Sequence, residues 1–192
     1  MGKLAFLFPG QGAQVVGMGK DFFDAYDLAK KRFAEADEAL GYSISKLCFE
    51  GPADQLQLTE NTQPAILTVS VIAAELLREE GIAPEIAAGH SLGEYSALVL
   101  AGVLSFQDAV ALVHKRGAYM QEAVPVGEGA MAAVIGLDDD TIVAVCAEAS
   151  AAGAVQAVNF NCPGQTVIAG TVKGVEQAVE LLQEKGAKKA VI

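Results

Sequence analysis

The chain has 192 residues, 52% hydrophobic and 19% charged. That is enough for one substantial core, or a core with a small companion, and too little charge for a disordered chain. A formal net charge of −11 argues against generic binding to nucleic acid or an anionic membrane, while leaving room for one local basic pocket.

Residues 3–8 form an apolar run predicted to be a buried first strand. The run is too short for a signal peptide or a membrane span. Gly2 resembles a myristoylation start only superficially, because Phe6 stands where Ser or Thr is needed. A Pro9-Gly10-Gln11-Gly12 turn follows. Phe22, Ala25, Tyr26, Ala29 and Phe33 recur three and four apart, predicting a helix over residues 18–40. A short helix or irregular segment is expected over residues 43–58. Gln63-Pro64 is read as opening a long helix that reaches about Glu79 and is stopped by Gly81. A second short strand, residues 86–89, runs straight into Ser91, and a helix is expected over residues 91–101. Ser105 and Asp108 have the spacing of a cap and its third helical residue, predicting a helix over residues 106–122. Strand, helix, strand, helix with apolar strands indicates an α/β fold with a parallel-sheet core.

The texture changes across Val126-Gly127-Glu128-Gly129. Beyond it the predicted elements are strand 130–135, helix 139–149, strands 155–160 and 166–169, helix 175–184 and strand 189–192. That order, βαββαβ, is ferredoxin-like. The expected domains are therefore residues 1–127 and residues 128–192.

Gly89-His90-Ser91-Leu92-Gly93 matches G-x-S-x-G between a strand and a helix. A nucleophilic serine needs a strained turn that exposes its hydroxyl, with small residues on either side to avoid clashes. The Leu92 N–H is then an oxyanion donor. The motif also fits a plain Ser cap flanked by glycines. The first glycine turn fails the tests for a phosphate loop: no Gly-Lys-Ser/Thr follows, and Val15 stands where a dinucleotide loop needs its third glycine. It fits either a tight turn without chemistry or a second oxyanion donor, the Gln11 N–H.

On the helix over residues 106–122, Arg116 has Leu112, Val113, Tyr119 and Met120 as its near neighbours, so it is expected to face inward. Its partner is a protein carboxylate or a substrate carboxylate, or else its stem alone is buried and its head reaches water. The serine also needs a base. Of two histidines, His90 adjoins the nucleophile and should point away from it. His114 faces a different direction from Arg116 and is expected to be a helix-surface or packing residue, with a catalytic role as the alternative. No Asp/Glu/His/Cys cluster suggests a metal. Cys48, Cys146 and Cys162 are odd in number and far apart, so reduced thiols in a cytoplasmic protein are expected.

Four segments together carry a resemblance: FPGQGAQ at residues 8–14, GHSLGEYSAL at 89–98, KRGAYMQEA at 115–123 and NCPGQTVIAG at 161–170. The chain resembles the malonyl-CoA:acyl-carrier-protein transacylase family of bacterial fatty-acid synthesis, from end to end and in the family's order. The resemblance implies an α/β-hydrolase-like core with an inserted ferredoxin-like domain. It implies transfer of malonyl from malonyl-CoA to Ser91, then to the phosphopantetheine thiol of acyl carrier protein. Gln11 and Leu92 would form the oxyanion hole, Arg116 would bind the malonyl carboxylate, His90 would support the site, and Asn161 would line the cleft. No tightly bound cofactor or metal is implied. Family members are longer, with a catalytic histidine and a glutamine that orients it lying beyond Ile192. The chain alone is therefore expected to be inactive, and a complementary C-terminal chain carrying that histidine is an expected partner. Two other functions fit the residues: a serine acyl hydrolase or less selective acyl transferase, and a catalytically dead acyl- or carrier-protein-binding fragment.

Overall fold

The computed structural model describes residues 3–125 and 127–191. The chain divides into two compact units, Met1–Ala123 and Val124–Ile192. The division falls ahead of the glycine-rich stretch where the sequence placed it; Val126 lies outside the described residues.

In the first unit β1 (Ala5–Phe8) and β2 (Ile86–Gly89) pair in parallel, with Ala5 opposite Ile86 and Phe8 opposite Gly89. Both strands therefore end side by side, and the two glycine turns leave the sheet at one edge. Five helices connect the strands: α1 (Lys20–Ala25), α2 (Asp27–Leu40), α3 (Ile44–Glu50), α4 (Ala53–Gln57) and α5 (Thr59–Glu79). After β2 come α6 (Gly93–Leu100) and α7 (Phe106–Ala123). The core is helical in content, with Phe33, Ile66, Leu67, Ile72, Val110 and Val113 buried together.

Two helices occupy the span predicted as one. Tyr26 is extended, at φ −129° and ψ 129°, and separates α1 from α2. Asp27 then sits in the first turn of α2, where a carboxylate meets the helix's partial positive end and pairs with Lys30 at 2.8 Å. α5 begins at Thr59, ahead of the predicted start, and carries Pro64 inside it. A proline there removes the N–H that would bond the Glu60 carbonyl. His114 of α7 fills the vacancy: its Nδ1 donates to the Glu60 oxygen at 3.0 Å. Gly117 lets the two helices approach this closely, since a Cβ there would stand 2.6 Å from the Thr59 carbonyl oxygen.

The second unit is β3 (Gly129–Ile135), α8 (Asp139–Ala149), β4 (Val155–Cys162), β5 (Gln165–Thr171), α9 (Val172–Glu184) and β6 (Lys189–Val191). Its sheet runs β4-β5-β3-β6 with antiparallel neighbours, the ferredoxin-like order. Ala132, Val134, Val155 and Ile168 pack with Ile142 and Leu182 of the helices. α9 starts earlier than predicted because Thr171 caps it, its Oγ1 accepting the Gly174 N–H at 3.2 Å. The predicted last residue of β6, Ile192, lies outside the described residues. Among the described residues no helix is long and apolar enough to cross a membrane.

Candidate active site

The spacing of the serine motif has a steric cause. A Cβ on Gly89 would lie 1.9 Å from the carbonyl carbon of Gly93. A Cβ on Gly93 would lie 2.2 Å from the Phe8 carbonyl oxygen and 2.8 Å from that of Pro9. The first turn of α6 thus crosses directly over the ends of both strands. Between these glycines Ser91 holds φ 50°, and among the described residues no other non-glycine residue has a positive φ. Such a conformation disfavours a side chain and persists where its surroundings enforce it. It also explains why α6 starts at Gly93 and not at Ser91 as predicted. Gly93 N–H donates to the His90 carbonyl at 2.9 Å and Glu94 N–H to that of Ser91 at 3.2 Å. Leu92, 1% exposed, anchors the turn in the core. The Ser91 side chain is left at the surface.

The first glycine turn lies against this one. His90 N–H donates to the Phe8 carbonyl at 3.1 Å. A Cβ on Gly10 would stand 2.7 Å from the His90 carbonyl oxygen and 2.8 Å from its Nδ1, so the imidazole is turned toward the first glycine loop. Gln11 is held by its side chain, whose Nε2 donates to Thr59 Oγ1 at 3.3 Å. Among the described residues the backbone N–H groups of Gln11 and Leu92 have no intramolecular acceptor.

Arg116 reaches this edge from α7. Its Nη2 donates to Ser91 Oγ at 3.0 Å and its Nη1 to Gln63 Oε1 at 2.7 Å. The guanidinium carbon sits 5.7 Å from the centre of the Tyr95 ring. Among the described residues no carboxylate pairs with it. Arg32 provides the contrast: it is also half-buried, but Glu75 and Glu35 bind it, which raises its pKa. The expectation of an inward apolar stripe around Arg116 needs correction. Val113 is buried, whereas Leu112, Tyr119 and Met120 are 44%, 67% and 47% exposed. The buried face of α7 instead follows Phe106, Ala109, Val110, Val113 and Gly117, where small residues let α5 approach, and Arg116 lies at its margin. Among the described residues no protein carboxylate is its partner, and the half-buried guanidinium reaches the exposed Ser91 hydroxyl.

The sequence reading missed Gln63 and Tyr95. Gln63 gave little signal, because it ends the polar run Thr59-Glu60-Asn61-Thr62 that opens α5. His114 stands apart, with Nδ1 on Glu60 and its ring centroid 5.8 Å from that of Tyr42. Since a carbonyl only accepts, Nδ1 carries the proton. Asn161 belongs to the second unit and is exposed on β4. Among the described residues no group of three His, Cys, Asp or Glu could hold a metal. An apolar groove of about 450 Å³ between β1 and α5 contains neither Ser91 nor Arg116.

The chain is similar to known proteins in sequence and in fold. The chain is 56% identical over all its length to a malonyl CoA-acyl carrier protein transacylase of Bacillus subtilis (strain 168), and 53% identical to one of Escherichia coli (strain K12). It spans 61% and 62% of those proteins' lengths. It superposes with TM-score 0.91 on an acyl-carrier-protein S-malonyltransferase from Burkholderia pseudomallei, at 56% identity, covering 99% of this chain and 62% of that one. A malonyl-transacylase solved in complex with a type II PKS acyl-carrier protein superposes with TM-score 0.93 at 48% identity, with the same coverage of 99% and 62%. Residues 5–192 match the family described as acyl transferase domain, and the chain belongs to that family.

Proposed function

We propose that the chain carries the nucleophile and acyl-recognition part of a malonyl transferase that moves malonyl from malonyl-CoA to the phosphopantetheine thiol of acyl carrier protein. The observation that carries this reading is Arg116, a cation without a counterion among the described residues, placed 3.0 Å from Ser91 Oγ. A site built this way suits an acyl group bearing its own carboxylate, held by the fork of the guanidinium.

In the proposed reaction Ser91 Oγ attacks the thioester carbonyl. Its proton passes to a base, and the coenzyme A thiol leaves as the malonyl ester forms. The oxyanion is taken by the Gln11 and Leu92 N–H groups, which have no acceptor among the described residues. The carrier-protein thiol then attacks the ester and regenerates Ser91. His90 supports the turn through its contact with Gly10, and Asn161 is assigned to the acyl cleft by resemblance alone. His114 is engaged with Glu60, so the base comes from outside these residues, and turnover by the chain alone is negligible. A cytoplasmic setting fits coenzyme A chemistry and the three free cysteines.

Loading of Ser91 by malonyl-CoA or acetyl-CoA, read by intact mass with a C-terminal chain that supplies the base present, tests the reading. Arg116→Ala should lower malonyl loading at least about tenfold, equivalent to ~1.4 kcal/mol, and change acetyl loading less than about twofold. Equal losses for both would support a less selective acyl transferase or hydrolase. Robust Ser91-dependent turnover by the chain alone would overturn the assignment of the base.

A further inference from the structure

We infer that Gln63 is the positioning residue for Arg116: it fixes the direction of the guanidinium with a neutral amide and so leaves the positive charge for the acyl carboxylate. This rests on the malonyl reading above and extends it to a residue that makes no contact with the acyl group.

Gln63 is 0% exposed, on the face of α5 that meets α7. Burying an amide costs free energy unless its polar atoms find partners. Both ends of this one do. A guanidinium only donates, so the amide oxygen must face Arg116, and Oε1 accepts from Nη1 at 2.7 Å. Nε2 then points at Met120 Sδ, 3.4 Å away. The amide can neither flip nor swing, and Arg116 inherits that rigidity: one nitrogen is tied to Gln63 and the other lies on Ser91 Oγ. The seam that brings Gln63 to Arg116 is set by Gly117 and by the His114–Glu60 bond.

The choice of an amide over a carboxylate is the point. Glu differs from Gln by one atom and would bind the guanidinium more strongly. This chain pairs Arg32 with carboxylates in that way. At Arg116 a carboxylate would neutralise the cation before substrate arrived, and its second oxygen would face the Met120 sulfur without a donor.

The test is isothermal titration of the purified 192-residue chain with malonyl-CoA and with acetyl-CoA. Wild type should prefer malonyl-CoA, and Arg116→Ala should abolish the preference. Gln63→Glu should weaken malonyl-CoA binding at least about tenfold and leave acetyl-CoA within about twofold, because only the first carries a carboxylate on the acyl group that Arg116 would hold. Gln63→Met, similar in shape but unable to hold the guanidinium, should lower the malonyl-to-acetyl ratio about threefold. A purely structural glutamine would weaken both thioesters alike, and that result overturns the inference. So does an unchanged ratio in both Gln63 variants. If Gln63→Glu fails to fold, judged by circular dichroism, Gln63→Met decides alone. A wild type without preference, or an Arg116→Ala variant that keeps it, overturns the malonyl reading itself and the inference with it.

Discussion

Ser91 bears a conformational cost that its two flanking glycines make possible. A left-handed backbone costs a side chain roughly 1–2 kcal/mol, partly offset in glycine by greater freedom in the unfolded chain. Ser91→Gly should therefore raise stability by about 0.5–1 kcal/mol in urea unfolding while removing the proposed site of acyl loading. Gly93→Ala should act in the opposite direction. Its new methyl would meet the Phe8 carbonyl oxygen at 2.2 Å, and a loss above about 3 kcal/mol is expected because backbone, not a flexible side chain, is in the way. Near-wild-type stability of Gly93→Ala would show that the two turns are not tightly stacked.

The α5–α7 pair carries the groups of the proposed acyl recognition, Gln63 on one helix and Arg116 on the other. The Glu60 carbonyl is its most exacting contact: Pro64 denies it a helical donor and His114 supplies one. His114→Ala should cost about 1–3 kcal/mol by leaving that oxygen unsatisfied. Pro64→Ala restores an N–H, so in its background the cost of His114→Ala should shrink by about 1 kcal/mol. Strict additivity in this double-mutant cycle would rule out the exchange of donors. In the second unit Asp138 caps α8, accepting the Thr141 N–H at 2.8 Å. Asp138→Ala should lower thermal stability by about 1 kcal/mol.

At alkaline pH the whole molecule responds through buried groups, Cys48 and Tyr42 in the first core and Cys146 in the second. Burial first, then the negative charge of Asp37, pushes the Cys48 thiol up to about 12 from 9.0. Burial likewise raises Tyr42. A raised pKa means the folded state keeps a proton that the unfolded state releases. Stability is then intact below about pH 9 and falls as pH rises toward 12, by up to ~1.4 kcal/mol per pH unit for one such thiol. Urea midpoints at pH 7.5 and 10.5 should drop more for wild type than for Cys48→Ala. The sequence by itself determined the elements around Ser91 and the βαββαβ order, because glycine spacing and apolar periodicity are local properties that neighbouring residues settle. It also singled out Arg116, by type and by position on a helix. The tertiary structure alone decided what surrounds that arginine. Its partners lie 53 residues away at Gln63 and 25 away at Ser91, and the bond that sets the helix seam joins residues 54 apart. Contacts of that span depend on which face of α7 packs on α5, and small residues, above all Gly117, chose that face against the apolar count that favoured Tyr119 and Met120.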